Sequence, residues 1–226
     1  MRRCPLCLKL ETRLFFQDRK RSFHVCSHCA LVFADGASHL PSNAIRQRYG
    51  RGGSLENQRQ LPQFILPLLQ ELQAQGHNQL KGLNYGRVLD QSSLAHIQAT
   101  GHELWQYDPF MAPDGESLQH SYDFICCFRV FEHFGAPHRE WQLFTRLLKP
   151  GGYLAMSTRM LSDPQRFNKW HHKNNLAHVS FPGKATFEYL ASASGFRLIF
   201  AENDCILMQK PSGSAIKRDP NTDPAV

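Results

Sequence analysis

Four cysteines open the chain in a pattern that can hold a metal. Cys4-Pro5-Leu6-Cys7 and Cys26-Ser27-His28-Cys29 form two CxxC pairs separated by eighteen residues. Two paired thiolates at this spacing close one tetrahedral zinc site, and four sulfurs leave no open position for catalysis. The other arrangement of the same thiols is two disulfides, which a reducing compartment disfavours. His24 and His28 lie beside the knuckles and read as bystanders, because four cysteines already fill the site.

A second set of reactive side chains is spread over the rest of the chain. Asp108 follows an apolar run, as does the pair Glu132-His133. His171, His172 and His178 fall in one segment together with Trp170 and Phe181. A carboxylate at the end of a strand can accept from ribose hydroxyls. Histidines titrate near neutral pH, so His133, His171, His172 and His178 are candidate general bases. A surface or structural role is the competing reading for each of them.

The elements that must position these groups are legible from periodicity. Residues 80–85 form a short apolar run that reads as a buried strand. Gly86 permits a sharp turn, Ser92 or Ser93 can cap a helix, and Leu94 and Ile97 share one face of it. Gly101 suits the helix end, and residues 102–107 read as a second strand with Asp108 at its C-terminal end. Strand, glycine turn, helix, strand, acid is a nucleotide-binding βαβ unit. Its turn, Gly86-Arg87-Val88-Leu89-Asp90, has one glycine where such turns usually have two or three.

Around this unit the chain divides into four parts: a ribbon over 1–36, a connector over 37–78, a main domain over 79–210 and a disordered tail over 211–226. The ribbon contains a hairpin over residues 12–25, turning at 18–21, and residues 31–33 close it. A segment this short needs a metal to fold. Residues 37–54, rich in glycine, read as an irregular loop from which Tyr49 and Arg51 could reach a ligand. Leu61, Phe64, Ile65, Leu68, Leu69 and Leu72 fall at helical spacing, with Pro67 starting or kinking that helix. Residues 121–128 read as a strand buried on both faces, ending at Arg129-Val130-Phe131-Glu132-His133. A helix from Pro137 carries Trp141, Phe144, Leu147 and Leu148, and Lys149-Pro150-Gly151-Gly152 ends it. A strand over 153–158, a long insertion over 159–183, a helix over 186–194 and two strands around Asn203 complete the domain. Cys126, Cys127 and Cys205 lie in apolar runs and read as core thiols.

Composition narrows the class. The 226 residues are 42% hydrophobic and 11% aromatic, enough for a core and too apolar for a disordered chain. No run of about 20 apolar residues is available to span a bilayer. Met1-Arg2-Arg3 is basic but no apolar signal core follows, so the expectation is a cytoplasmic protein without a membrane. The formal net charge of +7 permits an acidic partner. Nucleic acid therefore stays open as a partner, although no basic stripe with interleaved aromatics supports it. A nicotinamide-dependent enzyme is disfavoured because G-x-G-x-x-G is absent.

The ordered series of motifs resembles the class I S-adenosylmethionine-dependent methyltransferases, in particular a bacterial group with an N-terminal zinc ribbon. The motifs are the two knuckles, Gly82-Leu83-Asn84-Tyr85-Gly86, Gly101-His102 leading to Tyr107-Asp108-Pro109-Phe110, and Tyr122-Asp123-Phe124-Ile125. They continue through Val130-Phe131-Glu132-His133-Phe134 and Leu148-Lys149-Pro150-Gly151-Gly152 to His178-Val179 and Phe181. The resemblance implies an α/β Rossmann-like sheet of seven strands, the last antiparallel, with the methyl donor across the C-terminal strand ends. It implies that Asn84 and Gly86 approach the methionine part, that Asp108 takes the ribose, and that Phe110 and the backbone of Phe128, Arg129 and Val130 line the cofactor. Glu132 and His133 match the donor–acceptor boundary, and His178 survives in the family pattern, which makes His133 and His178 the candidate catalytic residues. Cys4, Cys7, Cys26 and Cys29 are the expected ligands of a structural zinc.

Departures accompany the resemblance. Asn84 stands where the family has an acid, and Arg87-Val88-Leu89 where it has a Gly-x-Gly turn. Asn175-Leu176-Ala177-His178-Val179 has likewise lost the acid of Asp-Pro-Thr-His-Val. Two functional readings follow: methyl transfer to an acceptor the sequence does not name, or a non-catalytic module of the same fold that meets a protein partner through its zinc ribbon.

Overall fold

A computed structural model of the chain describes residues 2–51 and 55–213. The ribbon begins with β1 (Thr12–Gln17) and β2 (Ser22–Cys26), an antiparallel hairpin, and adds β3 (Val32–Ala34) against β2. α1 (Ser42–Arg51) and α2 (Leu55–Ala74) follow. The expected irregular loop is therefore largely helical, because Gly50 falls at the end of α1, where a break in propensity costs little. The side chains of Tyr49 and Arg51 lie outside the description. α2 runs through Pro62 and Pro67 and buries Leu61, Ile65, Leu69 and Leu72 on one face.

The main sheet holds β4 (Lys81–Tyr85), β5 (Glu103–Tyr107), β6 (Tyr122–Phe128), β7 (Leu148–Ser157), β9 (Arg197–Glu202) and β10 (Cys205–Gln209). Their order is β5-β4-β6-β7-β10-β9, with four parallel strands and β10 antiparallel to both of its neighbours. α3 (Gln91–Gln98) connects β4 to β5, α4 (Pro137–Leu147) connects β6 to β7, and α5 (Lys184–Ser194) precedes β9. The antiparallel last strand agrees with expectation. The strand count does not: six strands occur among the described residues, one fewer than seven. Only residues 108–121 join β5 to β6. They are used by a bridge between Asp108 and Ala112 and a 3-10 turn, Gly115–Leu118, which leaves too little chain for a helix and another strand.

The cap of α3 also differs from the serine expected. Asp90 is the N-cap, and its carboxylate accepts from the Ser93 N–H at 2.9 Å. The tail over 214–226 lies outside the described residues.

The ribbon is fused to the main domain. The last short strand, β8 (Ser180–Phe181), comes from the insertion and pairs with β3, so the ribbon sheet reads β1-β2-β3-β8. Phe23, Val32 and Ala34 of the ribbon share one apolar cluster with Phe167, Val179 and Phe181. On the other side, His138 of α4 donates both its backbone N–H and its ring Nδ1 to the Pro5 carbonyl, within the first knuckle.

Candidate functional site

The C-terminal ends of β5, β4 and β6 lie side by side, and open parallel sheets take ligands in the crevice outside such ends. Gly86 ends β4 with φ +100°, and a Cβ there would stand 2.6 Å from a Val130 methyl. Its N–H donates to the Tyr107 carbonyl at 2.7 Å, which locks the turn to the end of β5. Glycine is required on both counts.

Asn84 is fully buried beneath this turn. Its Nδ2 donates to the Arg87 carbonyl and to Gln106 Oε1, and Gln106 Oε1 also accepts from the Leu89 N–H at 2.7 Å. A carboxylate at position 84 could not donate to these oxygens. The missing acid and the missing glycines are thus one matched change: an amide under the turn holds the bulkier Arg87-Val88-Leu89 backbone. Arg87 in turn donates through Nη2 to the Arg129 carbonyl at 3.3 Å, so its side chain reaches from the end of β4 to the end of β6.

Asp108 stands at the end of β5 and is fully buried. Oδ1 accepts from the Phe110 and Met111 N–H groups at 2.7 and 2.8 Å. Oδ2 is buried with no hydrogen-bond partner among the described residues. Buried carboxylate oxygens rarely go unsatisfied, so this atom asks for a donor from outside the chain. Arg129 closes β6 with φ +50°, its N–H bonded to the Ser157 carbonyl. Val130 packs on Gly86. The Phe128 ring turns to the opposite face of the sheet, 5.4 Å from Phe64 of α2, so of this residue only the backbone borders the crevice.

Beyond Val130 a 3-10 turn, Phe131–His133, brings Glu132 and His133 against the insertion. Glu132 is 3% exposed, and its Oε2 accepts from the Thr158 hydroxyl at 2.7 Å. Its backbone carbonyl accepts from Val179 N–H. Burial raises its pKa. His133 Nδ1 lies 3.1 Å from the Ala177 carbonyl and His178 Nδ1 lies 2.9 Å from the His172 carbonyl. A carbonyl only accepts, so both rings carry their proton on Nδ1. His178 Nε2 then accepts from Asn175 Nδ2 at 2.9 Å. His172 packs against His178 with centroids 4.0 Å apart and the rings tilted by 40°, and its Nε2 is buried with no hydrogen-bond partner among the described residues. Burial pushes His133 and His172 down to about 3 and His178 to about 4, so all three are neutral at pH 7.

The structure therefore joins His133, His178 and His172 and leaves the exposed His171 outside the group. Two partners carried no sequence signal. Arg21, at the ribbon hairpin turn, donates to the carbonyls of Lys173, Asn175 and His178 at 3.0, 3.1 and 2.6 Å. Lys173 Nζ reaches back to Asp18 at 3.1 Å.

At the ribbon itself Cys4, Cys7, Cys26 and Cys29 offer sulfurs that lie within 4.8 Å of one another. Cys4–Cys29 and Cys7–Cys26 are 3.5 and 3.4 Å apart, far beyond a disulfide bond and close to the ~3.8 Å edge of a tetrahedron with ~2.3 Å zinc–sulfur bonds. His24 is turned toward Asp35, and His28 against the Tyr189 ring, which keeps both out of the sulfur cluster.

A mixed α/β sheet with a glycine turn and a buried acid at the ends of adjacent parallel strands defines a Rossmann-like fold. Comparison with known proteins narrows the class: the chain belongs to the methyltransferase-domain family, whose model matches residues 57–200. The ubiquinone biosynthesis O-methyltransferase of Vibrio cholerae serotype O1 is 30% identical over 91 residues, 40% of this chain and 37% of that protein. The chain thus matches little more than a third of the length of these curated relatives. The structure of 1,6-didemethyltoxoflavin-N1-methyltransferase from Burkholderia thailandensis, with bound 1,6-didemethyltoxoflavin and S-adenosylhomocysteine, is similar over 88% of this chain and 99% of that one. Its TM-score is 0.52 at 13% identity, a likeness of fold. No helix among the described residues is long and apolar enough to cross a membrane.

Proposed function

We propose that this protein transfers a methyl group from S-adenosylmethionine to an acceptor held beside Glu132, His133 and His178, with a structural zinc in the ribbon. The observation that carries the reading is Asp108 Oδ2, a buried acceptor at the end of β5 without a donor among the described residues. A ribose hydroxyl is the donor that fits this position in a sheet of this family. Gly86, Asn84 and the backbone of residues 128–130 would border the cofactor, and Phe110 would flank it.

When bound, S-adenosylmethionine supplies an electrophilic methyl group on a sulfonium. The work of the chain is to orient the acceptor and exclude water. For an acceptor that loses a proton, a neutral imidazole of His133 or His178 is the group to take it. The second proton site of each ring is fixed by a main-chain carbonyl, which holds the ring in place. Zinc fits the four sulfurs, and its charge would stabilise all four as thiolates; without a cation, hydrogen bonding from Cys29 pulls Cys4 down to about 5 while burial lifts Cys7 to about 12.

One observation favours the alternative of a non-catalytic module. The Arg87 side chain spans the crevice where the methionine part of the cofactor would approach. A cation there opposes a sulfonium but attracts a carboxylate, so the two readings predict different binding. Titration calorimetry of the zinc-loaded protein with S-adenosylmethionine and, as the uncharged thioether control, S-adenosylhomocysteine decides. Micromolar affinity, lowered about tenfold or more by Asp108→Asn, supports the transferase. Absence of binding at millimolar ligand with the fold intact supports the module.

A further inference from the structure

We infer that Glu132, His133 and His178 form a second metal site, distinct from the ribbon, that takes a divalent transition metal through two imidazole nitrogens and a carboxylate. The three ligand atoms lie within 4.8 Å of one another, at the boundary between the cofactor crevice and the insertion. Metal–ligand bonds of about 2.1 Å place neighbouring ligands roughly 3–3.5 Å apart, so closure asks for only a small inward shift.

The surroundings of the three ligands are those of a metal site. Each imidazole donates Nδ1–H to a main-chain carbonyl, Ala177 for His133 and His172 for His178. That contact fixes the tautomer with the lone pair on Nε2 and fixes the ring plane, the two tasks of an outer-shell partner. Glu132 is oriented in the same way by the Thr158 hydroxyl on Oε2, which leaves Oε1 to coordinate. Glu132 and His178 are at least nine-tenths buried. His172 Nε2, buried beside His178 without a hydrogen-bond partner among the described residues, is a further nitrogen within the group. Among the described residues, Asn175 Nδ2 on His178 Nε2 is a contact that must give way, and Asn175 is an exposed residue.

The donor set selects among ions. Magnesium and calcium are held by oxygen and charge, whereas zinc, cobalt, nickel and iron are held by imidazole nitrogen. The donor set therefore fits the second group. Two histidines and one carboxylate leave positions open, and an acceptor hydroxyl bound there would be acidified by the metal. A coordinated imidazole has no lone pair for a proton, so in this arrangement His133 and His178 act as ligands in place of general bases.

The inference does not depend on methyl transfer, and its test needs neither methyl donor nor acceptor. The full chain, loaded with a single equivalent of zinc so that the four-cysteine cluster alone is filled, is titrated with cobalt(II). The expected result is one cobalt per chain with weak visible bands of nitrogen and oxygen ligands, no thiolate charge transfer and no zinc release. Glu132→Gln and His178→Gln should each weaken binding at least about tenfold. Paramagnetic shifting of the His133 and His178 ring signals in the unaltered protein reads the same site if a variant fails to fold. Three results overturn it: no cobalt bound at millimolar concentration, thiolate bands with displaced zinc, or ring signals of His133 and His178 that cobalt leaves unmoved.

Discussion

The guanidinium of Arg21, at the turn of the ribbon hairpin, donates to the backbone carbonyl of His178 at 2.6 Å. With its bonds to Lys173 and Asn175, the side chain spans the loop that delivers His172 and His178 to Glu132. Arg21 is 4% exposed and lies over the Phe23 ring. The ribbon is thus a wall of the candidate site, which accounts for its burial against Phe167 and Phe181 better than a free docking surface would.

Replacing Arg21 by alanine removes three charge-assisted donors and leaves three carbonyls to find water. Hydrogen bonds to a charged partner contribute about 1.5–3 kcal/mol each when counted singly, and these three share one side chain. A loss of about 3 kcal/mol in urea unfolding is expected, with new protease cleavage within residues 163–177. Arg21→Lys keeps the charge but lacks the fork that reaches three oxygens, so it should recover less than half of the loss. Full recovery by lysine would mean that charge alone, and not the geometry of the fork, holds the loop.

Removing the metal proposed for the ribbon should loosen more than the ribbon. Val32 pairs with Phe181 and Phe33 with Ser180, so disorder in β3 exposes the edge of β8 and the end of the histidine loop. After chelation, hydrogen exchange measured by mass spectrometry should rise in residues 4–34 and also in residues 167–181, while β4 and β6 stay protected. Exchange that rises in the ribbon alone would show that the insertion holds its place through its own contacts.

Asn84→Asp restores the acid that resembling proteins carry, yet it should harm this chain. The Asn84 amide donates to the Arg87 carbonyl and to Gln106, and a carboxylate there would face two acceptors in a buried place. A destabilisation of about 1–3 kcal/mol is expected from the lost donor and the buried charge. A variant that melts at the wild-type temperature would show that the turn tolerates an unpaired carboxylate.

The local signals were strong wherever a short stretch decides its own structure. The CxxC spacing led to the four-sulfur cluster, the strand–Gly86–helix–strand pattern led to β4, α3 and β5, and the two strands read around Asn203 are the β9–β10 hairpin. The readings that missed depend on partners distant in sequence. The Asp90 cap competed with two nearby serines of equal chemistry. Residues 37–54 looked irregular from their glycines although α1 tolerates Gly50. The seventh strand was carried over from a resemblance, and residues 108–121 are too few to build it. Arg21 was indistinguishable from its basic neighbours Arg19 and Lys20, because its role is set by a loop about 150 residues away. His172 was weighed on equal terms with the exposed His171, since only the fold turns one of two adjacent rings onto His178.

The histidine cluster should make the protein sensitive to acid. His133, His172 and His178 have folded-state pKa values near 3, 3 and 4, below the ordinary histidine value of about 6.5, and burial lowers His102 as well. The unfolded chain therefore binds more protons than the folded one between about pH 6.5 and 4. Unfolding free energy must fall as pH falls through that window, by up to about 1.4 kcal/mol per pH unit for each such histidine. Glu132 works in the opposite sense, because burial raises its pKa and the folded state holds that proton more tightly. Burial raises Glu140 in the same way, so these two carboxyls offset part of the histidine slope. Urea unfolding from about pH 6.5 to 5.5 should lose stability as the pH falls, and His172→Gln should reduce that slope by about one proton. An equal slope in the His172→Gln variant would mean that this ring is solvated and takes up its proton in the folded state.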